Sequence, residues 1–135
     1  MKRSPALAQL SREHHTALSL ALRIENAASD RALAEIAATL PSLFRGELEP
    51  HFQEEERSLL PRLAAAGENE AVARTLREHA ELRDLVKAVQ QGSASALAEF
   101  GVLLRAHVRF EERELFPLAE RVLPGLANDV PPTTL

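Results

Sequence analysis

His51-Phe52-Gln53-Glu54-Glu55-Glu56-Arg57-Ser58-Leu59-Leu60-Pro61 returns later in the chain as His107-Val108-Arg109-Phe110-Glu111-Glu112-Arg113-Glu114-Leu115-Phe116-Pro117, identical at six of eleven positions. The repeated residues are one His, two Glu, one Arg, one Leu and one Pro, so the repeat keeps chemical groups as well as an apolar pattern. In both copies a histidine precedes a glutamate by four residues, the interval that sets two side chains one turn apart on the same face of an α-helix. Arg12-Glu13-His14 is echoed in the same manner by Arg77-Glu78-His79. The chain therefore reads as two similar halves, each a pair of helices.

Outward from the repeat, apolar residues keep helical spacing nearly throughout, and no segment alternates with period two. Ala, Leu, Glu and Arg, all strong helix formers, dominate. Ser4 is a candidate cap for a first helix with Pro5 in its opening turn, carried by Leu7, Leu10, His14 or His15, Leu18 and Leu22 to about Asn26. Asp30 is a candidate cap for the second, whose stripe runs through Ile36, Leu40, Phe44, Leu48, His51, Glu55 and Leu59, with a break or kink expected at Pro41 and at Pro50. Ala65 to Gly67 closes it. A third helix from about Glu68 carries Val72, Leu76, His79, Leu82, Val86 and Val89 and ends at Gly92. Ser93 or Ser95 caps a fourth, with Leu97, Phe100, Leu104, His107, Glu111, Leu115 and Leu118 inward, loosened at Pro117 and stopped by Pro124-Gly125. Four helices with short connections predict an all-α fold, an antiparallel up-down four-helix bundle.

A length of 135 residues with 45% hydrophobic content supports one domain over 1–135, with a helical core of about 5–124 and a tail at 125–135. No cysteine is present, which excludes disulfides, thiolate metal sites and thiol redox chemistry. A net charge of -4, no basic cluster beyond Lys2-Arg3, and no Tyr or Trp to stack on bases argue against nucleic acid. No run of 18 apolar residues occurs, and Gln9, Arg12 and Glu13 interrupt the amino-terminal stretch, so neither a membrane span nor a secretory signal is expected. A soluble, cytoplasmic protein is predicted.

All five histidines fall on predicted helices among apolar neighbours. Glu55 and Glu111, each one turn after a histidine, face inward with them. An ionised carboxylate buried without a partner costs several kcal/mol, and a buried imidazole also needs its nitrogens satisfied. No Lys or Arg shares the stripe, whereas a pair of divalent ions neutralises two glutamates and takes four imidazoles together. A lone histidine on an apolar face is more often a hydrogen-bonded core residue. Four of them, two with Glu one turn on, reverse that balance. Imidazole and carboxylate without sulfur suit iron and tolerate manganese or zinc. Four His and two Glu overfill one tetrahedral zinc site, while two bridging glutamates bring the total to roughly eight bonds for two six-coordinate ions that need about twelve. An oxo or hydroxo bridge takes two more positions, leaving about one per metal for dioxygen, nitric oxide or peroxide.

Glu54, Glu56, Glu112 and Glu114 read as a solvated face, and Arg57 and Arg113 as surface pairing partners. The five phenylalanines read as core, with one or two walling the metal pocket.

The repeated His-x-x-x-Glu-Glu with Leu-x-Pro or Leu-Phe-Pro beyond it, together with the Glu-His pairs on the first and third helices, resembles the hemerythrin-like, His-His-Glu cation-binding family over nearly the whole chain. Members are four-helix bundles holding a non-haem di-iron centre. The resemblance implies that His51, Glu55, His107 and Glu111 are metal ligands, with the glutamates as bridges, and that His79 contributes from the third helix. For the first helix, the family's habit of an apolar residue three after the ligand favours His15 with Leu18, while the internal echo favours His14; His15 is our assignment. Oxygen-carrying members have a further histidine where this chain has Thr75. The remaining set resembles instead bacterial iron-centre repair proteins and an iron- and oxygen-sensing domain of a eukaryotic ubiquitin ligase subunit.

The implied function is a cytoplasmic protein with two iron ions that binds, senses or detoxifies a small oxidant, or handles iron under oxidative or nitrosative stress, without being a conventional enzyme. One alternative is a di-iron oxidase or ferroxidase, although such bundles use paired Glu-x-x-His motifs and this chain has none. Another is a metal-free helical interaction module.

Overall fold

A computed structural model describes residues 3–124 and Leu126. The tail expected at 125–135 lies, apart from Leu126, outside the described residues. The first helix is Pro5–Glu25 and the third is Asn69–Gln90. The second runs without interruption over residues 30–65, and the fourth over 94–122. The result is an all-α four-helix bundle, in which the first helix packs on the fourth, the fourth on the third, and the third on the second. No described helix is long and apolar enough to cross a membrane.

The helix ends follow local chemistry. Ser29, rather than Asp30, caps the second helix, its Oγ accepting from the Ala32 amide at 3.1 Å. Ser93 caps the fourth by accepting from Ala96 at 3.2 Å. Ser4 starts the first helix without a side-chain cap; its amide instead donates to Glu120 on the fourth helix at 2.8 Å. Gly67 and Gly92 take φ of 89° and 95°, the left-handed conformation that ends a helix and that other residues adopt at a cost.

Proline breaks neither long helix. Pro41 sits inside Asp30–Leu43. At Pro50, Pro61 and Pro117 the ladder widens into single π-helical turns, Phe44–Leu48, Glu55–Leu59 and Glu111–Leu115. The amides of Glu49, Leu60 and Phe116 reach back five residues to the carbonyls of Phe44, Glu55 and Glu111. A proline lacks the amide that would continue the ladder, and its ring crowds the carbonyl four residues earlier. Widening the preceding turn relieves the crowding while the rod continues. Two of the three π turns start on the inward glutamates of the repeat.

Two apolar clusters fill the bundle. One contains Leu40, Phe44, Phe52, Leu82, Phe100 and Leu104, the other Leu7, Leu10, Leu63, Leu115, Phe116 and Leu126. The first helix contributes small residues, Ala17 and Ala21, to the former, and at Gly101 the fourth helix comes so near that an added Cβ would sit 2.9 Å from Ile24 Cγ2. Close approach of these helices, not bulky side chains, sets the inner face there. Leu22, expected inward, is accordingly exposed at 47%; Leu76 on the third helix, also expected inward, is exposed at 43%.

Gly101→Ala is expected to destabilise the fold by about 1 kcal/mol, because overpacking against a β-branched neighbour outweighs the helix-propensity gain of alanine. Denaturant unfolding measures this. The Ile24→Ala, Gly101→Ala double variant should lose less than the two single losses added together, and strict additivity would contradict the close approach.

Candidate metal centre

Between the two apolar clusters, all four helices send polar side chains to one point. His14 comes from the first helix, His51 and Glu55 from the second, His79 from the third, and His107 and Glu111 from the fourth. All six are buried, and Glu55, His79 and Glu111 have no exposed surface. They form two groups that share both glutamates: His14, His51, Glu55 and Glu111, and Glu55, His79, His107 and Glu111. Within each group one ligand atom per residue lies within 4.8 Å of every other.

His15 is not among them. It is exposed on the outer face of the first helix, and His14 holds the inward position at 4% exposure. The expectation for His15 rested on Leu18. The helix is phased instead by Ala17, Ala21 and Ile24, which face the fourth helix at its close approach. The echo of Arg12-Glu13-His14 in Arg77-Glu78-His79 carried the correct phase. Thr75 is fully buried, and its hydroxyl donates to the Ala71 carbonyl at 2.8 Å within its own helix.

Each inward imidazole is gripped from behind by a glutamate of a neighbouring helix. The Nδ1 of His51 meets Glu13 at 2.8 Å, that of His79 meets Glu56 at 2.7 Å, that of His107 meets Glu78 at 2.7 Å, and that of His14 meets Glu112 at 2.6 Å. A carboxylate only accepts, so Nδ1 carries a proton in each pair; Nε2 of His51, His79 and His107 faces the centre without a hydrogen bond, while His14 Nε2 meets Glu111 Oε1 at 2.7 Å. The four pairs close a ring around the bundle, with each helix holding the histidine of another. Glu56 and Glu112 thus belong to the site rather than to a solvated face. Glu54 is also buried, paired with Arg57 on the exposed side of its helix. The sequence signal for the ring was the Glu beside each histidine or inward glutamate, repeated in both halves.

Phenylalanine walls the layer. Phe52 stacks on His79 at 4.1 Å between ring centroids and meets His107 edge-on, and Phe116 lies parallel to His14 at 5.4 Å.

The inward atoms fit a cation. His51 Nε2, His79 Nε2, His107 Nε2, Glu111 Oε2 and both carboxylate oxygens of Glu55 are buried and make no hydrogen bond. His79 Nε2 and Glu55 Oε1 are 3.0 Å apart, and His107 Nε2 and Glu111 Oε2 3.3 Å, near but not aligned for hydrogen bonding. Each unsatisfied buried polar atom costs about 1–3 kcal/mol, which a core with no ligand to bind has no reason to concentrate in one layer. Imidazole nitrogen and carboxylate oxygen are donors for divalent first-row metals.

The family described as the hemerythrin HHE cation-binding domain matches residues 6–119, most of the chain. This chain belongs to that family. No curated protein and no solved structure matches it. Hemerythrin HHE domains bind metal cations, and the buried His and Glu groups of this one fit that role.

Charge balance within this hemerythrin HHE centre responds to pH. Burial works against protonation of His107, yet the negative charge of Glu111 beside it and the hydrogen bond to Glu78 overcome it and raise its pKa to about 10. Burial likewise opposes ionisation of Glu111, and His107, His14 and His51 outweigh it, leaving its pKa well below the ordinary 4.5. A histidine so raised stabilises the fold fully below its unfolded pKa of 6.5 and loses that contribution as pH climbs toward about 10. The lowered glutamate contributes above 4.5 and loses its contribution in acid. Protein stripped of metal by chelation is therefore expected to melt highest between pH 4.5 and 6.5 and progressively lower toward pH 10. A melting temperature that is flat from neutral pH to pH 10 would contradict the ion pairing.

Proposed function

We propose that His14, His51, His79, His107, Glu55 and Glu111 hold two iron ions, and that the protein uses them in the cytoplasm to bind, sense or detoxify a small oxidant such as dioxygen, nitric oxide or peroxide, or to handle iron under oxidative or nitrosative stress. The observation that carries this reading is the pair of ligand groups sharing both glutamates. A shared carboxylate has two oxygens, one for each ion. Six side chains overfill one tetrahedral zinc ion, whereas nitrogen and oxygen donors without thiolate suit iron.

When bound, such an iron pair supplies electrons to, or takes them from, a small ligand. The chain's own residues supply the rest. The four outer glutamates orient the imidazoles, Phe52 and Phe116 keep bulk water from the layer, and Thr75, engaged within its helix, offers no ligand where a histidine would close the site. Counting both glutamates as bridges and adding an oxo or hydroxo bridge, about one position per ion would be left for an exogenous molecule. A cavity of about 10 Å³ lies beside the cluster, lined by Ala17, Leu48, Phe52, Leu104 and Val108 and by the polar Glu13, His14, His51 and His107. Room for about one water-sized sphere is far too small for an organic substrate. A metal-free interaction module leaves the unpaired inward atoms without a purpose.

Metal analysis of untagged protein tests the reading, with two irons per chain expected. His14→Ala and Glu111→Ala should each lower metal content to about half or less, because both positions lie in the shared coordination layer, while His15→Ala should leave it unchanged. Full loading of all three variants would overturn the assignment. Oxidised protein should gain an azide-dependent absorption band, and its absence would remove the exogenous-ligand role.

A further inference from the structure

Three of the four corners of the outer ring carry a guanidinium. Glu78 is held by Arg74 four residues earlier on its own helix, Nε to Oε2 at 3.0 Å. Glu56 is held by Arg83, which also grips Glu49. Glu112 is held by Arg3 at 3.1 Å, and Arg3 also reaches Glu120. Each of these guanidiniums lies over a phenylalanine: Arg74 over Phe110, Arg83 over Phe52 and Arg3 over Phe116. Three corners are thus closed by a cation seated on the carboxylate and on an aromatic ring.

Glu13 has no such cover among the described residues. Its Oε1 takes the His51 Nδ1 proton, and its Oε2 accepts only from the neutral Gln9 amide at 3.1 Å. Gln9 stands where the internal repeat places Arg74, four residues before the matching glutamate. Arg12, its neighbour in sequence, is exposed and bonds to the Gln9 oxygen at 2.7 Å. Glu13 is part exposed, its side chain retaining 31% of its surface, and it lines the small cavity with His14 and His51. Beneath it lies His51, 5% exposed, with its Nε2 unpaired.

We infer that the Glu13 corner is the route by which divalent cations reach and leave the centre. This rests on the metal-binding reading above. At the other corners an incoming cation must displace a guanidinium that already occupies the carboxylate and repels it. At Glu13 it meets a carboxylate oxygen shared only with an amide, then a cavity, then the unpaired nitrogen of His51. The ion held by His14 and His51 is accordingly the first to load and the first to leave.

The test is the rate, as distinct from the extent, of metal exchange, with ferrous ion alone supplied anaerobically and then removed by a chelator. Gln9→Arg recreates the Arg74 arrangement and is expected to slow both uptake and removal by roughly three- to tenfold, the effect of one added positive charge beside the path, while the final iron content stays at the wild-type value. Gln9→Leu, which adds no charge, should not slow them. Arg74→Gln should open a second route and speed removal. Unchanged rates in Gln9→Arg, or equal slowing by Gln9→Leu, would overturn the route. Failure of the wild-type protein to hold iron at all would instead overturn the metal-binding reading on which it rests.

Discussion

Two carboxylates with no exposed surface, Glu55 and Glu111, are the constraint around which the bundle is arranged. A buried carboxylate is tolerated only beside compensating groups, and imidazoles come to these two from every helix: His51 and His79 beside Glu55, His14, His51 and His107 beside Glu111. Each histidine in turn needs an acceptor behind it, which brings in Glu13, Glu56, Glu78 and Glu112, and three of those bring in arginine. Polar demand thus passes outward from the axis in three tiers until it reaches solvent. The apolar clusters above and below keep the layer dry, so each tier is held by the next and not by water.

Most of this was legible in the sequence because the repeat kept residue identity at helical spacing. Helix number, turns at Gly67 and Gly92, and the convergence of His51, Glu55, His79, His107 and Glu111 all followed from periodicity and from the cost of burying charge. The first helix was harder. Hydrophobic bulk is a poor guide to its inner face, since helices that approach closely bury alanine and leave leucine at the edge, and a shift of one residue moved the inward position from His15 to His14. The outer glutamates were misread for a related reason. Glu56 and Glu112 look like solvated charge in a run of acids, and only the cross-helix partner, invisible to local spacing, reveals their use.

The prolines carry a similar lesson. Pro41, Pro50 and Pro117 were legible as obstacles to a regular ladder, but whether a helix stops or widens is decided by the packing on either side. Continuous burial of Leu59, Leu60 and Leu63, and of Leu115, Phe116 and Ala119, holds the rods together through the π turns. The widened turn re-phases the rod immediately after each inward glutamate, so the apolar face resumes one residue later than a regular helix would place it.

The division of donors between the halves constrains when the centre can assemble. The amino-terminal pair of helices supplies two imidazoles and one carboxylate, the carboxy-terminal pair supplies the same, and each ligand group draws a carboxylate from the opposite half. Glu111 is the last of these to be synthesised. A nascent chain still short of its fourth helix therefore presents three of the four side chains of one group and two of the four of the other.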